Sequence, residues 1–206
     1  MSKYMKGFAA LMAGTLMLVS ATAMAAAKSE DATELIRSTT LDLLAEFDKN
    51  RTTYENDKDA LYMMVERVAI PHFDFERMTR LVLGRYSSKA TAAEFDAFMT
   101  EFKTLLIRTY ATALFQYTGQ KIVYKPQINE PKYKIVQATV QLDRIDPVAI
   151  EYYLADRDGA LKVFDVSIDG ISLVTNYRSA YNAVIRSKGL QSLIDDLASK
   201  NQQSVQ

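Results

Sequence analysis

The segment that most constrains the fold is residues 91–117, which contain neither glycine nor proline and carry apolar residues at steps of three and four. The recurring residues are Phe95, Phe98, Met99, Phe102, Leu105, Leu106, Tyr110, Ala113, Leu114 and Tyr117. This period places them on one side of an α-helix. At 1.5 Å of rise per residue such a helix is roughly 40 Å long, enough to cross a small domain.

Both ends of this predicted helix carry local signals. Thr91 and Glu94 have the spacing of a capping box, in which each side chain accepts a hydrogen bond from the backbone N–H of the other residue. Gly119 is a stop signal shortly after the other end. The chain before this helix is expected to be helical and the chain after it to form strands, so the helix divides the fold into two halves.

The first half contains three further segments of helical character. A helix is predicted over residues 30–49, followed by a polar break over residues 51–55 and a second short helix over residues 57–68. Pro71 is expected to end that helix, because the residue before a proline is pushed out of the helical region.

The stretch PHFDFERMTRLVLGRY, residues 71–86, predicts a short helix with both of its caps. Asp74 is a favourable N-cap residue, and Phe75–Leu83 is interpreted as a helix that is apolar on nearly all sides. Gly84 stands where a residue with positive φ would end it.

After Gly119 the sequence alternates and becomes rich in Val, Ile and Tyr, which is typical of strands. The predicted strands are residues 121–128, 133–142, 148–156 and 161–168. Short connections, such as the Asp158-Gly159 turn, join neighbouring antiparallel strands, so a curved antiparallel sheet of about four strands is predicted. Helices over residues 171–185 and 190–199 follow, giving an α+β fold.

The first 25 residues are interpreted as a secretory signal peptide. Lys3 and Lys6 precede an apolar run over residues 7–19, and Ala23-Met24-Ala25 fits a small-x-small cleavage site. The apolar run is too short for a membrane span. No cysteine follows it to carry a lipid anchor, so a soluble exported protein is expected, with a single domain over residues 26–200 and a polar tail over residues 201–206.

Composition excludes several classes of function. Removing Lys3 and Lys6 leaves 23 basic and 25 acidic residues, whereas a nucleic-acid partner would call for a basic surplus. The chain has no cysteine, a single histidine and no cluster with metal-ligand spacing, so no metal or cofactor is predicted. His72 and Asp74 could act as a base and its orienting carboxylate, but no nucleophile is near them in sequence and Asp74 already serves as a cap. An enzyme is therefore not predicted.

The chain carries more apolar residues than a simple core requires, including Met63, Met64, Met78 and Met99. An ordinary filled core and a cavity lined by the same residue types both explain this pattern, and periodicity does not distinguish them.

Two long stretches carry a family resemblance. PHFDFERMTRLVLGRY followed by EFDAFMTEFKTLLIRTYATALFQY, and FDVSIDGISLVTNYRSAYNAVIRSKGLQSLIDDL over residues 164–197, resemble the phospholipid-carrier family of the bacterial Mla pathway. This is the MlaC or toluene-tolerance family. The resemblance covers residues 31–197, in the expected order and after a signal peptide.

The resemblance implies a soluble periplasmic protein that carries phospholipid between the outer and inner membranes and helps to maintain outer-membrane lipid asymmetry. It further implies a cone similar to nuclear transport factors, with extra helices around a deep apolar pocket that holds acyl chains. The implied partners are an outer-membrane lipoprotein complex and an inner-membrane ABC transporter with a ring of substrate-binding domains. No cofactor is implied.

The pocket wall is expected to take residues from the short helix, the long helix, the sheet and the segment after it. The predicted lipid-binding residues are Phe75, Met78, Val82, Leu106, Tyr110, Leu114, Val136, Val140, Tyr152, Leu154, Val163, Ile168, Ile171, Val174 and Tyr177. Strand register decides whether the sheet residues share one face. Two alternatives remain open: a periplasmic adaptor or chaperone for apolar protein segments, and a small-molecule enzyme on a cone fold.

Overall fold

The computed structural model describes residues 31–141 and 146–203 and has the predicted α+β architecture, with helices before and after an antiparallel sheet. The predicted signal peptide lies outside the described residues, as do Leu142 at the end of a predicted strand and residues 204–206 of the predicted tail.

Three helices form the N-terminal part. Helix α1 spans Ala32–Lys49 and begins at Asp31, whose carboxylate accepts the Thr33 N–H at 2.9 Å. Helix α2 spans Arg51–Asn56 and α3 spans Lys58–Val68. The structure therefore confirms the helices predicted over residues 30–49 and 57–68.

The predicted break over residues 51–55 is wrong. Within the polar run of α2, Tyr54 is buried and stacks on Phe47 of α1 with ring centroids 6.0 Å apart. This contact between neighbouring helices stabilises a turn whose sequence alone looks like a loop.

Helix α4 spans Phe75–Leu83 and begins at Asp74, as predicted, and Gly84 follows it with φ +55°. The prediction that α4 is apolar on nearly all sides is wrong. Its buried side includes Met78 and Val82, whereas Glu76 and Arg80 form a 2.7 Å ion pair on its exposed side.

Helix α5 spans Ala92–Ala111 and is the long helix predicted from residues 91–117. The capping box is present, since the Glu94 N–H donates to Thr91 Oγ1 at 3.2 Å and the Thr91 N–H donates to Glu94 Oε2 at 2.9 Å. The α-helix is shorter than predicted, because the chain tightens into a 3-10 helix over Thr112–Gln116.

The sheet has six strands rather than about four. They are β1 Ile122–Tyr124, β2 Ile128–Glu130, β3 Tyr133–Val140, β4 Val148–Arg157, β5 Ala160–Ile168 and β6 Ile171–Ser172. The strand predicted over residues 121–128 is split at Lys125-Pro126 into β1 and β2, which both pair with β3. The order then runs β3, β4, β5, β6, all antiparallel, and Asp158-Gly159 forms the predicted turn with positive φ at both residues.

Two helices follow the sheet, α6 over Leu173–Lys188 and α7 over Leu190–Gln203. The predicted tail is wrong for residues 201–203, which are helical. Asn201 is buried, and its amide donates to the Glu101 carbonyl at 3.0 Å and to Glu101 Oε2 at 2.7 Å, which fastens the end of α7 to α5.

The buried side chains form three separate clusters. The helical cluster joins α4 to α7 and includes Met78, Val82, Phe98, Phe102, Leu106 and Tyr181. The sheet cluster includes Ala32, Ile36, Val136, Leu154, Val163 and Val166. The N-terminal cluster includes Phe47, Tyr54, Leu61, Met64, Ile107 and Ala111. Phe73 and Tyr177 each pack against both the helical and the sheet clusters, so these two side chains lie where the clusters meet.

Asp74 fastens α4 to the sheet as well as capping it. Its carboxylate accepts the Arg77 N–H at 2.9 Å and pairs with Arg157 of β4 at 2.5 Å, and its own N–H donates to the Val163 carbonyl at 2.8 Å. Arg157 also pairs with Glu76; this contact, together with Arg80, lowers the pKa of the Glu76 carboxyl.

Asp74→Ala is expected to lower the free energy of unfolding by about 2 kcal/mol, at the upper end for a lost N-cap, because the carboxylate has both roles. Asp74→Asn keeps a cap acceptor and is expected to lose about half of that. Urea denaturation measures both. Equal losses in the two variants would contradict a separate contribution from the cap.

Candidate functional site

The six predicted lining residues from the sheet share one face, which we call the inner face. In the strand register, Val136 lies opposite Tyr152, and Leu154 lies opposite Val163. The other members follow from the register: Val140 pairs with Val148, and Ile168 pairs with Ile150. Val163 and Ile168 share this face because the register between β4 and β5 shifts between Tyr153 and Leu154, which breaks the simple alternation along β5. The inner face packs against α1 through Ala32 and Ile36.

Burial along the inner face is uneven. Val136, Leu154 and Val163 are fully buried at 0% exposure, so this end of the face is packed core. Val140, Tyr152 and Ile168 are only half-buried. The half-buried end combines apolar side chains with residual access, which is what the wall of an interior site requires.

A small residue stands in the middle of the accessible end. Ala138 on β3 lies between Tyr124 on β1 and Ile150 on β4, in one row across the sheet. Both neighbours are half-buried and far larger than alanine. Ala138 is itself buried at 4% exposure, so this row has its smallest side chain between two larger, half-buried ones.

The predicted lining residues on the helices also divide into buried and half-buried ones. Met78, Val82, Leu106 and Val174 are buried within the helical cluster, and Phe75 packs against its edge. Tyr177 is half-buried and packs against both the helical and the sheet clusters, so it lies where the two meet.

Two predicted residues lie away from these contacts. Ile171 is 61% exposed on β6, and Leu114 packs against the N-terminal cluster. Tyr110 is 37% exposed at the end of α5, and its side chain is hydrogen-bonded with Tyr177. The structure therefore brings the sheet residues and Tyr177 together, with Tyr110 in contact with Tyr177, and the other predicted residues lie in separate packed clusters or, for Ile171, at the surface.

Sequence reasoning missed Tyr124 and Ile150 on the inner face and Leu35 on α1, all half-buried against the sheet cluster. Ile150 could have been found, because it alternates with Tyr152 and Leu154 along one strand. Tyr124 gave no such signal, since β1 has only three residues.

Tyrosine hydroxyls lie in this apolar interior. Burial raises the pKa of Tyr152 above its usual range. Burial, reinforced by Tyr110, raises the pKa of Tyr177 to about 12. Tyr124, hydrogen-bonded with the Thr40 hydroxyl, also has its pKa raised by burial. These groups stay neutral donors at any physiological pH.

The described residues offer little for catalysis. His72 is half-buried in the 3-10 helix Ile70–His72, and the neighbouring Asp74 is engaged as a cap and ion pair. No group of three or more His, Cys, Asp or Glu within residues 31–141 and 146–203 is arranged to hold a metal. A surface cavity of about 440 Å³ beside Arg157 is lined partly by Asp74, Glu76 and Lys162, a charged lining unlike the inner face.

Across the part of the chain that the structure covers, no helix is both long and apolar enough to cross a membrane.

The profile of the family described as "MlaC protein" matches residues 37–199, most of the described chain. The chain belongs to the MlaC family. The resemblance inferred from the two long stretches is thereby confirmed.

Two curated relatives agree with this membership. The toluene tolerance protein ttg2D of Pseudomonas putida is 25% identical over 178 residues, covering 85% of this chain and 83% of the relative. The intermembrane phospholipid transport system binding protein MlaC of Haemophilus influenzae is 24% identical over 167 residues, covering 79% of this chain and 76% of the relative. The second of these names describes binding and transport rather than catalysis.

A solved structure has the same fold. The phospholipid-binding protein of Ralstonia solanacearum, in complex with a phospholipid, superposes with a TM-score of 0.79 at 29% identity and covers 86% of this chain and 100% of the other.

Proposed function

We propose that this chain is a soluble periplasmic carrier that binds one phospholipid in its interior and moves it between the outer and inner membranes. The observation that carries this proposal is the phospholipid bound by a family member of the same fold, which is 29% identical over the whole of that protein. The interrupted core and the half-buried, apolar end of the inner face support it.

The physical chemistry of transport requires such an interior. Exposing a methylene to water costs about 0.8 kcal/mol, so two chains of about fifteen carbons cost roughly 24 kcal/mol. A lipid does not cross an aqueous compartment unaided against that cost. A carrier must replace the membrane with apolar protein surface, and it needs no catalytic residue to do so.

The partners and location belong to the same proposal. The family resemblance supports export to the periplasm, with an outer-membrane lipoprotein complex and an inner-membrane ABC transporter as donor and acceptor of lipid. The name of the Haemophilus influenzae relative supports transport of phospholipid between membranes. Net transport by such a carrier supports the lipid asymmetry of the outer membrane.

The test is to purify the exported protein, extract it into organic solvent and analyse the extract by mass spectrometry. We expect co-purifying phospholipid at about one molecule per chain, and reloading from vesicles after delipidation. A protein that carries no lipid and takes none up from vesicles would refute the carrier. Selective capture of apolar peptides by that protein would favour the adaptor or chaperone, and turnover of a small molecule would favour the enzyme.

A further inference from the structure

The accessible end of the inner face contains a polar group among its apolar side chains, the hydroxyl of Tyr152. Tyr152 points to this face, since it lies opposite Val136 on β3 and Val166 on β5. Within the described part of the chain, no hydrogen-bond partner is found for its hydroxyl. Tyr124 differs, because it is hydrogen-bonded with Thr40 on α1.

The surroundings of Tyr152 combine access with desolvation. The side chain is half-buried, so a small molecule reaches it, yet burial is the main cause of its raised pKa. A hydroxyl that faces an internal space is both accessible to a small molecule and partly removed from bulk water. Water that reaches the hydroxyl is displaced when a lipid enters, so a bound ligand that supplies an acceptor in its place is favoured.

The acceptor is expected to be uncharged. Placing an ionised phosphate beside a desolvated hydroxyl in an apolar wall is costly without a cation. The side chains next to Tyr152 on this face are Val136, Val166, Ile150, Leu154 and Tyr124, and none of these carries a charge. Lys134 on β3 lies one row further along the face, opposite Leu154. A carbonyl oxygen meets the requirement.

A cation lies nearer the edge of the sheet. The Arg37 guanidinium on α1 lies over the Tyr124 ring at 5.8 Å from its centroid, and its side chain is 49% exposed. Its ion pair with Glu34 is long, at 3.7 Å. From the edge inward, the chain therefore presents a half-exposed cation, then Tyr124, then Tyr152.

This order matches the order of groups in a glycerophospholipid, which runs from phosphate to ester carbonyls to acyl chains. We infer that Tyr152 is a specificity-determining residue whose hydroxyl donates a hydrogen bond to a glycerol-ester carbonyl of the bound lipid, with the phosphate directed toward Arg37. This inference rests on the proposed function and adds a preference for ester-linked over ether-linked lipids.

The test compares Tyr152→Phe with wild type on two kinds of vesicle. One contains diacyl phosphatidylethanolamine, and the other contains its dialkyl ether counterpart with the same chain length, which has no ester carbonyl. Native mass spectrometry of the delipidated, exported protein measures the loaded fraction as lipid is titrated. Tyr153→Phe is the matched control, because that hydroxyl is on the opposite face and donates to Glu151 at 3.0 Å.

One neutral hydrogen bond corresponds to about a fivefold change in affinity. We expect wild type and Tyr153→Phe to prefer the diacyl lipid, and Tyr152→Phe to lose about fivefold in diacyl affinity and all of the preference. Its ether-lipid affinity and melting temperature are expected to be unchanged.

The two proposals fail differently. If wild type loads neither lipid, the carrier itself is refuted. If wild type loads lipid and Tyr152→Phe keeps the diacyl affinity, or loses affinity equally for both lipids, the ester contact is refuted while the carrier stands.

Discussion

Replacing Phe102 with alanine is expected to lower the free energy of unfolding by about 3–5 kcal/mol, a large fraction of the total stability of a typical domain. Phe102 is fully buried on α5 and stacks on Phe98 with centroids 5.7 Å apart. Its edge contacts reach Tyr177 at 5.2 Å and Tyr181 at 6.2 Å on α6. Alanine removes all three ring contacts and leaves a cavity between α5 and α6.

Urea denaturation of the delipidated protein measures this loss. Leu41→Ala is the control, because Leu41 on α1 is 59% exposed and its truncation is expected to stay within about 0.5 kcal/mol. A loss below about 1 kcal/mol for Phe102→Ala would show that the helices repack around the missing ring. The helical cluster would then not be the main contact that stabilises α5 against α6.

Tryptophan at Val140 is expected to reduce phospholipid uptake about 15-fold while the melting temperature holds. Val140 is half-buried at the accessible end of the inner face, so a larger ring there is expected to take up space meant for acyl chain. Displacing two methylenes from the pocket costs about 1.6 kcal/mol, which corresponds to the 15-fold reduction in uptake. Uptake from vesicles of diacyl phosphatidylethanolamine measures it.

Leu106→Trp is the matched contrast for this substitution. Leu106 is 7% exposed inside the helical cluster, where the added volume overpacks and is expected to cost about 1–3 kcal/mol of stability. Uptake by the folded fraction is expected to be retained. If Val140→Trp loses stability and still takes up lipid, Val140 belongs to the packed core.

The elements with strong local signals were predictable from the sequence. Asp74 and Thr91 each begin the helix expected of them, because an N-cap acts on backbone N–H groups two or three residues away. Helix α2 was not predictable, since Tyr54 is buried only through its contact with Phe47 on another helix.

The face of the sheet that carries the candidate site was largely predictable from the sequence, but the burial of each residue along it was not. Alternation along β3 and β4 was enough to place Val136 and Tyr152 on one face. Val163 shares that face with Ile168 only because the register between β4 and β5 shifts, which alternation does not predict. Alternation carries no information on how closely α1 packs on that face. Packed Val136 and half-buried Val140 therefore have the same signal in sequence, and only the tertiary structure separates them.

The split between β1 and β2 has a consequence for association between chains. A long unpaired strand at a sheet margin is a template for pairing with another chain. Here one margin is broken by Lys125-Pro126 into two strands of three residues. On the opposite margin, β5 is covered by β6 at Ser167 and Ile168, and the Asp74 N–H donates to its Val163 carbonyl. Neither margin offers a continuous row of free backbone groups, so the sheet resists intermolecular strand pairing and aggregation.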